Sequence, residues 1–239
     1  MQRVDAPEIL DSDACSPAAA QAVLAVVESI NRRFGGVATT QRMVERVAQA
    51  TGLQRLSLLE VAAGSGKLPY VVQRNVERAG ITLDITLLDL AASHLPGTHS
   101  ADNGRKSSVV GNALALPFGN DAFDLVSCNL FAHHLAPEQL QLFVKEAMRV
   151  GRRAVLINDL VRHRLHLALV YISFPLMRNR VAWLDGLTSV RRAYVPDELR
   201  GILVSAFSPE VLTRTEISRE FLYRMGVIVW KNAEQITGV

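Results

Sequence analysis

Five short apolar runs, Leu56 to Ala62, Ile81 to Leu88, Ser108 to Val110, Phe123 to Cys128 and Ala154 to Ile157, constrain this chain more than any other feature. Each carries Leu, Val or Ile and reads as a strand, Leu56 to Ala62 as a short buried one. Helix-length sequence separates them, and Pro137–Val150 shows the helical period most plainly. Strands that alternate with helices in this way build a parallel sheet with right-handed crossovers. Beyond a long helical segment and Pro196–Leu203, the stretches Val211–Ile217 and Phe221–Trp230 read as two last strands joined by a turn.

Two helices precede the sheet. The first runs from Pro17 to about Ile30, with Ser16 suited to the N-cap and Pro17 to the first helical position. Gly35-Gly36 breaks it, and a second helix from Thr39 or Thr40 to near Gly52 turns Met43, Val44 and Val47 inward. The expected organisation is a helical cap over 1–52 and a core over 53–239, with a helical lid inserted around 159–195.

An open parallel sheet binds ligands outside the carboxyl ends of its strands. The residues just after each run are therefore the ones to read. After the first run come Glu60-Val61-Ala62-Ala63-Gly64-Ser65-Gly66, after the second Asp89-Leu90, after the third Gly111-Asn112-Ala113-Leu114, and after the fourth Cys128-Asn129 followed by His133-His134. Glycines at the first position allow close backbone approach, and the next helix offers its N-terminal amides. The dinucleotide pattern fails, because Pro69 stands where its third glycine belongs. A pyrophosphate would also be repelled by Glu60, whereas a cationic nucleoside would be attracted by it. Glu60 and Asp89 are expected to converge on that ligand from neighbouring strands.

Composition sets the remaining bounds. With 239 residues, 49% of them hydrophobic and 21% charged, the chain can bury one sizeable core. The formal charge of +3 and the arginines between Arg149 and Arg192 raise nucleic acid as a partner, but no appended RNA-binding module accompanies them and none is expected. Cys15 and Cys128 match neither a metal spacing nor a disulfide framework. Without an apolar leader the expected location is the cytoplasm. Leu165 to Met177 is too short for a membrane span.

The four ordered strand-end motifs resemble those of class I S-adenosylmethionine-dependent methyltransferases, in particular the small-molecule branch that includes ubiquinone and menaquinone biosynthesis enzymes. The carriers are Leu58 to Gly66, Leu87-Leu88-Asp89-Leu90, Gly111 to Phe118 and Phe123 to Leu135. The resemblance implies a three-layer Rossmann-like α/β fold, with a mostly parallel seven-stranded sheet, an antiparallel last strand and an N-terminal helical cap. It also implies S-adenosylmethionine as cofactor and S-adenosylhomocysteine as product.

Residue by residue, the resemblance has Glu60 orient the glycine turn and meet the methionine ammonium. Ala62, Gly64 and Gly66 pass beneath the ligand and Asp89 takes the ribose hydroxyls. Asn112 and the Ala113 amide read adenine, Leu90 and Leu114 cover its faces, and the backbone at Cys128 and Asn129 meets the methionine end. Ala62 stands where many relatives have glycine, a cheap change provided its φ is negative.

The reaction class follows from what is missing. No Asn/Asp-Pro-Pro-aromatic stretch follows the fourth run, where Asn129-Leu130-Phe131-Ala132 stands, and no Pro-Cys nucleophile is present. Carboxylates are not paired after the fourth and fifth runs, so no metal site is expected. His134, or His133, is the candidate general base for a phenolic proton, and Arg162, Tyr171 and Phe174 are the candidate acceptor contacts. The expected activity is O-methylation of a small aromatic or phenolic acceptor. C-methylation of a quinone-like or polyketide ring, RNA methylation and a catalytically silent partner subunit are the alternatives. A homodimer is one assembly open to such a chain.

Overall fold

The computed structural model describes residues 1–9, 17–95, 107–177, 179–207 and 215–231. Ser16, Cys15 and residues 211–214 of the expected sixth strand lie outside them. Seven strands form one sheet: β1 (Arg55–Val61), β2 (Thr82–Asp89), β3 (Ser107–Val110), β4 (Phe123–Asn129), β5 (Gly151–Leu160), β6 (Thr215–Glu220) and β7 (Arg224–Trp230). Their order is β3-β2-β1-β4-β5-β7-β6. Pairs from β3 through β5 are parallel, and β7 runs antiparallel to both of its neighbours, β5 and β6. The Rossmann-like architecture expected from the sequence is therefore present.

The helices are α1 (Pro17–Arg33), α2 (Gly36–Thr51), α3 (Lys67–Glu77), α4 (Pro137–Val150), α5 (Arg164–Ile172), α6 (Phe174–Met177), α7 (Arg180–Arg192) and α8 (Pro196–Ala206). None of the described helices is long and apolar enough to cross a membrane. Alternation along β1 supplies two cores. Leu56 and Leu58 pack with Val44, Val47 and Val72 from α2 and α3, whereas Leu59 and Val61 pack with Phe143 and Val144 from α4. Each side chain so enclosed contributes about 1.5–3 kcal/mol.

Several boundaries move from their sequence-based positions. The first helix continues to Arg33 and the second begins at Gly36, because Gly35 alone adopts the left-handed conformation (φ 79°) that turns the corner. β5 reaches from Gly151 to Leu160, past the expected Ala154–Ile157. Arg152 and Asp159 hid those ends; Arg152 is tied to Asp124 at 3.0 Å and Asp159 is buried.

Two features secure the upper rim of the sheet. Buried Arg224 of β7 donates to Asn158 Oδ1 at 3.0 Å, Asn31 Oδ1 at 2.8 Å and the Phe34 carbonyl at 3.2 Å, joining the α1–α2 corner to β5. Burial lowers its pKa to about 10, so it remains a cation at neutral pH. The N-terminal residues 1–9 run beside α7. Arg3 Nε donates to the Arg192 carbonyl at 2.8 Å, the Val4 amide to that of Arg191 at 3.2 Å, and the Ile9 amide to Asp185 Oδ1 at 2.7 Å.

Candidate functional site

The carboxyl ends of β1 and β2 meet at the glycine turn. Gly64 (φ 52°) and Gly66 (φ 67°) are both left-handed, and a Cβ on Gly66 would collide with the Leu87 side chain. Glycine is therefore required there on both conformational and steric grounds. Asp89 holds the turn, accepting from the Gly64 amide at 2.9 Å through Oδ2 and from the Ala91 amide at 3.0 Å through Oδ1. Orienting the turn had been expected of Glu60; the structure gives that task to Asp89. Helix α1 lies against the same turn, where Glu28 accepts from Ser65 Oγ and from Lys67 Nζ. Farther along α1, Gln21 donates to the Ser93 carbonyl at 3.1 Å.

Ala62 departs from expectation. Its φ is +54°, so the negative value that would make alanine cheap does not occur, and the residue carries left-handed strain of about 1–2 kcal/mol. Asn112 also differs. Its Oδ1 accepts from the Leu114 amide at 2.9 Å, so one acceptor site of the amide is already in use by a local turn. Leu90 is 73% exposed, whereas Leu114 packs against the core and Ala113 lies beside it.

Glu60 faces away from Asp89's partners. Its carboxylate accepts from Ser127 Oγ and, at 2.7 Å, from Asn129 Nδ2. Asn129 Oδ1 accepts from Thr40 Oγ1 at 2.7 Å, and Thr40 in turn accepts from Asn158 Nδ2 at 2.9 Å. The expected convergence of Glu60 and Asp89 is replaced by a division: Asp89 serves the turn, and Glu60 begins a buried polar chain through β4 to α2 and β5. Burial raises the Glu60 pKa to about 7, against the lowering effect of the Asn129 and Ser127 hydrogen bonds. Cys128, beside it, is a buried thiol whose pKa burial pushes well up.

Past β4, the 3₁₀ turn Ala132–His134 brings the two histidines against Asp159 and Glu8. His133 Nδ1 lies 2.7 Å from Asp159 Oδ1, and its backbone amide donates to Oδ2 at 2.9 Å. Its Nε2 stands 3.4 Å from Glu8 Oε1, and His134 Nε2 stands 3.7 Å from Glu8 Oε2. Burial alone would lower the His133 pKa, but the Asp159 and Glu8 carboxylates raise it to about 9. Such an imidazole is already protonated at neutral pH and cannot act as a base. The protonated, enclosed ring withdraws the base assignment from His133, whereas His134, its side chain 21% exposed, has its Nε2 turned toward Glu8.

Arg162 is another correction. Its guanidinium donates to the Met1 carbonyl at 2.9 Å, to the Ala193 carbonyl at 2.6 Å and to Glu198. It fastens the N-terminal segment and α8 and does not present itself to an acceptor anion. Tyr171 and Phe174 do reach the surface, at 64% and 43% exposure, each packed on Trp183 with ring centroids 5.7 and 4.9 Å away. His163 and His166 stack on Tyr223. Glu8, Thr40, Asn158 and Arg224 were missed from sequence. Only Asn158, directly after the fifth run, carried a positional signal.

The family model described as a methyltransferase domain matches residues 59–157, which contain the carboxyl ends of β1 to β4 and stop just short of that of β5. No curated protein sequence matches the chain. Among solved structures, the plantazolicin methyltransferase BamL, in complex with a triazolic desmethyl substrate analogue and SAH, aligns with a TM-score of 0.63 at 11% identity, covering 87% of this chain and 90% of that one. A SAM-dependent methyltransferase from Aquifex aeolicus gives 0.58 at 14% identity, covering 91% and 99%. An Anabaena variabilis protein, described as a methyltransferase from an antibiotic biosynthesis pathway, gives 0.50 at 18% identity; the match spans 74% of this chain and 64% of that one. At these identities the likeness shows the fold.

Proposed function

We propose that the chain, whose residues 59–157 match a methyltransferase-domain model, is a class I S-adenosylmethionine-dependent enzyme that methylates a small aromatic acceptor, at a phenolic oxygen in preference to a ring carbon. The observation that carries this reading is the turn at β1 and β2: two left-handed glycines leading into α3, held by the Asp89 carboxylate. A carboxylate in that position suits a nucleoside without phosphate. S-adenosylmethionine supplies a methyl group on positively charged sulfur, so the chain need only bind, align and exclude water.

In this reading Asp89 accepts the ribose hydroxyl protons with the acceptor capacity left beside the Gly64 and Ala91 amides and the His94 ring, whose Nδ1 lies 3.3 Å from Oδ1. Gly64 and Gly66 keep the floor clear, and Leu90 offers an apolar face to adenine. Asn112 keeps one lone pair for the adenine amino group. Glu60, enclosed by Ser127 and Asn129, supplies negative potential beneath the methionine end in its ionised form, which a bound sulfonium and ammonium favour over the protonated one. Tyr171, Phe174 and Trp183 form the apolar aromatic wall on the lid side. No imidazole base is assigned. The acceptor is therefore a phenol acidic enough to enter as its phenolate, its proton left in bulk solvent, so that the oxygen–methyl bond forms as the carbon–sulfur bond breaks.

The test is calorimetry with S-adenosylmethionine and S-adenosylhomocysteine, followed by labelled-methyl transfer to a panel of phenols and hydroquinones. Cofactor binding that is lost in Asp89→Ala, together with label in an oxygen-linked product, is the expected result. Label on ring carbon would overturn the choice of oxygen, and absence of binding to either nucleoside would overturn the whole reading.

A further inference from the structure

Glu8, His133 and His134 come from segments 125 residues apart, yet a carboxylate oxygen of the first and a ring nitrogen of each histidine all lie within 4.8 Å of one another. Two of the three side chains are almost wholly buried, with Glu8 6% and His133 2% exposed. His133 Nε2 is buried without a hydrogen bond and is aimed at the centre of this group, 3.4 Å from Glu8 Oε1. On the far side of the same ring, Asp159 holds Nδ1 at 2.7 Å. A carboxylate fixing one nitrogen while the other points into a cluster of donors is the arrangement that orients a metal-bound histidine.

We propose that Glu8, His133 and His134 form a binding site for a zinc-class divalent cation, which displaces the His133 Nε2 proton to solvent as it binds, with Asp159 as the residue that positions His133. The distances lie close to what that ion needs. Ligands of a tetrahedral zinc at about 2.0–2.2 Å stand about 3.3–3.6 Å apart; His133 Nε2 is 3.4 Å from Glu8 Oε1 and His134 Nε2 is 3.7 Å from Glu8 Oε2, so side-chain rotation of Glu8 and His134 must draw the three donors, now within 4.8 Å of one another, onto the ion. A nitrogen and carboxylate donor set suits zinc and its neighbours better than calcium or magnesium, which take oxygen ligands. Three protein ligands leave a fourth position for water. His134 is the least buried of the three, its side chain 21% exposed, and it marks the side from which the ion arrives.

The chemistry of the site also explains the course of residues 1–9. Arg3 donates to the carbonyls of His133 and Leu135 at 3.1 and 3.0 Å, and Ser189 Oγ donates to Glu8 Oε1 at 2.7 Å. These bonds bring the N-terminal segment across the histidines and deliver its carboxylate to them. Bound metal would then fasten this segment to the ends of β4 and β5. The inference does not depend on the methyl-transfer reading, because its test is a binding measurement made without nucleoside or acceptor.

The full chain, stripped with chelator, is titrated with zinc chloride by calorimetry, and cobalt(II) is used in parallel as an optical probe. One zinc per chain is expected, with tetrahedral cobalt d–d bands. Glu8→Gln and His134→Ala should each weaken zinc binding at least tenfold, and Asp159→Asn about 10–100-fold. His163→Ala, at a histidine stacked on Tyr223, should leave it unchanged. Circular dichroism of Glu8→Gln and His134→Ala checks that both stay folded, since loss of buried His133 itself could simply unfold the chain. No uptake, uptake unaltered in folded Glu8→Gln, or only octahedral cobalt bands would overturn the proposal and leave the cluster as an ionic latch.

Discussion

The two halves of the strand-end surface solve opposite problems. Around β1 and β2, the glycine turn is arranged by main-chain amides that meet one carboxylate, Asp89, and Leu90 is left uncovered. Around β4 and β5, nearly every polar side chain already faces another: His133 meets Asp159 and Glu8, and Arg162 meets two carbonyls and Glu198. The first half is the one to which the proposed reading assigns the ligand, and the second is braced from within by residues 1–9. Binding groups and bracing groups of the same chemical type thus sit side by side, and only their partners tell them apart.

The sharpest way to break this division is Asp159→Ala. It strands a buried imidazolium, and denaturant unfolding should report a loss of about 3–5 kcal/mol, while any protein that remains folded binds S-adenosylmethionine normally. Loss of nucleoside affinity in folded protein would show that the halves are not separate. Next in size is the pH dependence contributed by Glu60. Its pKa is about 7 in the folded chain against 4.5 ordinarily, so between those values the folded state binds a proton that the unfolded state lacks. Stability is therefore greatest from this group below pH 4.5 and falls as pH rises through 7, by about 3 kcal/mol in all. Glu60→Gln should flatten that part of a Tm-against-pH curve.

On the ligand-receiving side, Asp89→Ala should lower nucleoside affinity by about 1–3 kcal/mol, the cost of leaving polar groups unpaired; calorimetry that finds no change removes Asp89 from ribose binding. The smallest effect belongs to Ala62→Gly. Relief of the left-handed strain, partly offset by glycine's entropy, should raise stability by about 0.5–1 kcal/mol, measured as a shift in the denaturant midpoint.

The sheet and the ligand-receiving half could be read from sequence because both depend on local signals. Each buried run declares a strand, and Gly64, Gly66 and Asp89 follow strands directly. The braced half could not be read that way. Glu8 is assigned to the histidines only by the path of the N-terminal segment, and Arg162 looks like an anion site until Ala193 and Glu198 are seen around it. Glu60 misled for a related reason. Its strand-end position was legible, but its direction depends on Asn129 and Thr40, which arrive from β4 and α2. Ala62 adds a conformational case, since nothing in an alanine's neighbours announces a positive φ.

Arg224 decides which end of α1 is able to swing. Pulling the Asn31–Phe34 corner outward would abandon a guanidinium inside the protein, whereas the Gln21 and Glu28 contacts with Ser93, Ser65 and Lys67 exchange readily for water. The C-terminal end of α1 is thus the costlier of the two to part from the sheet.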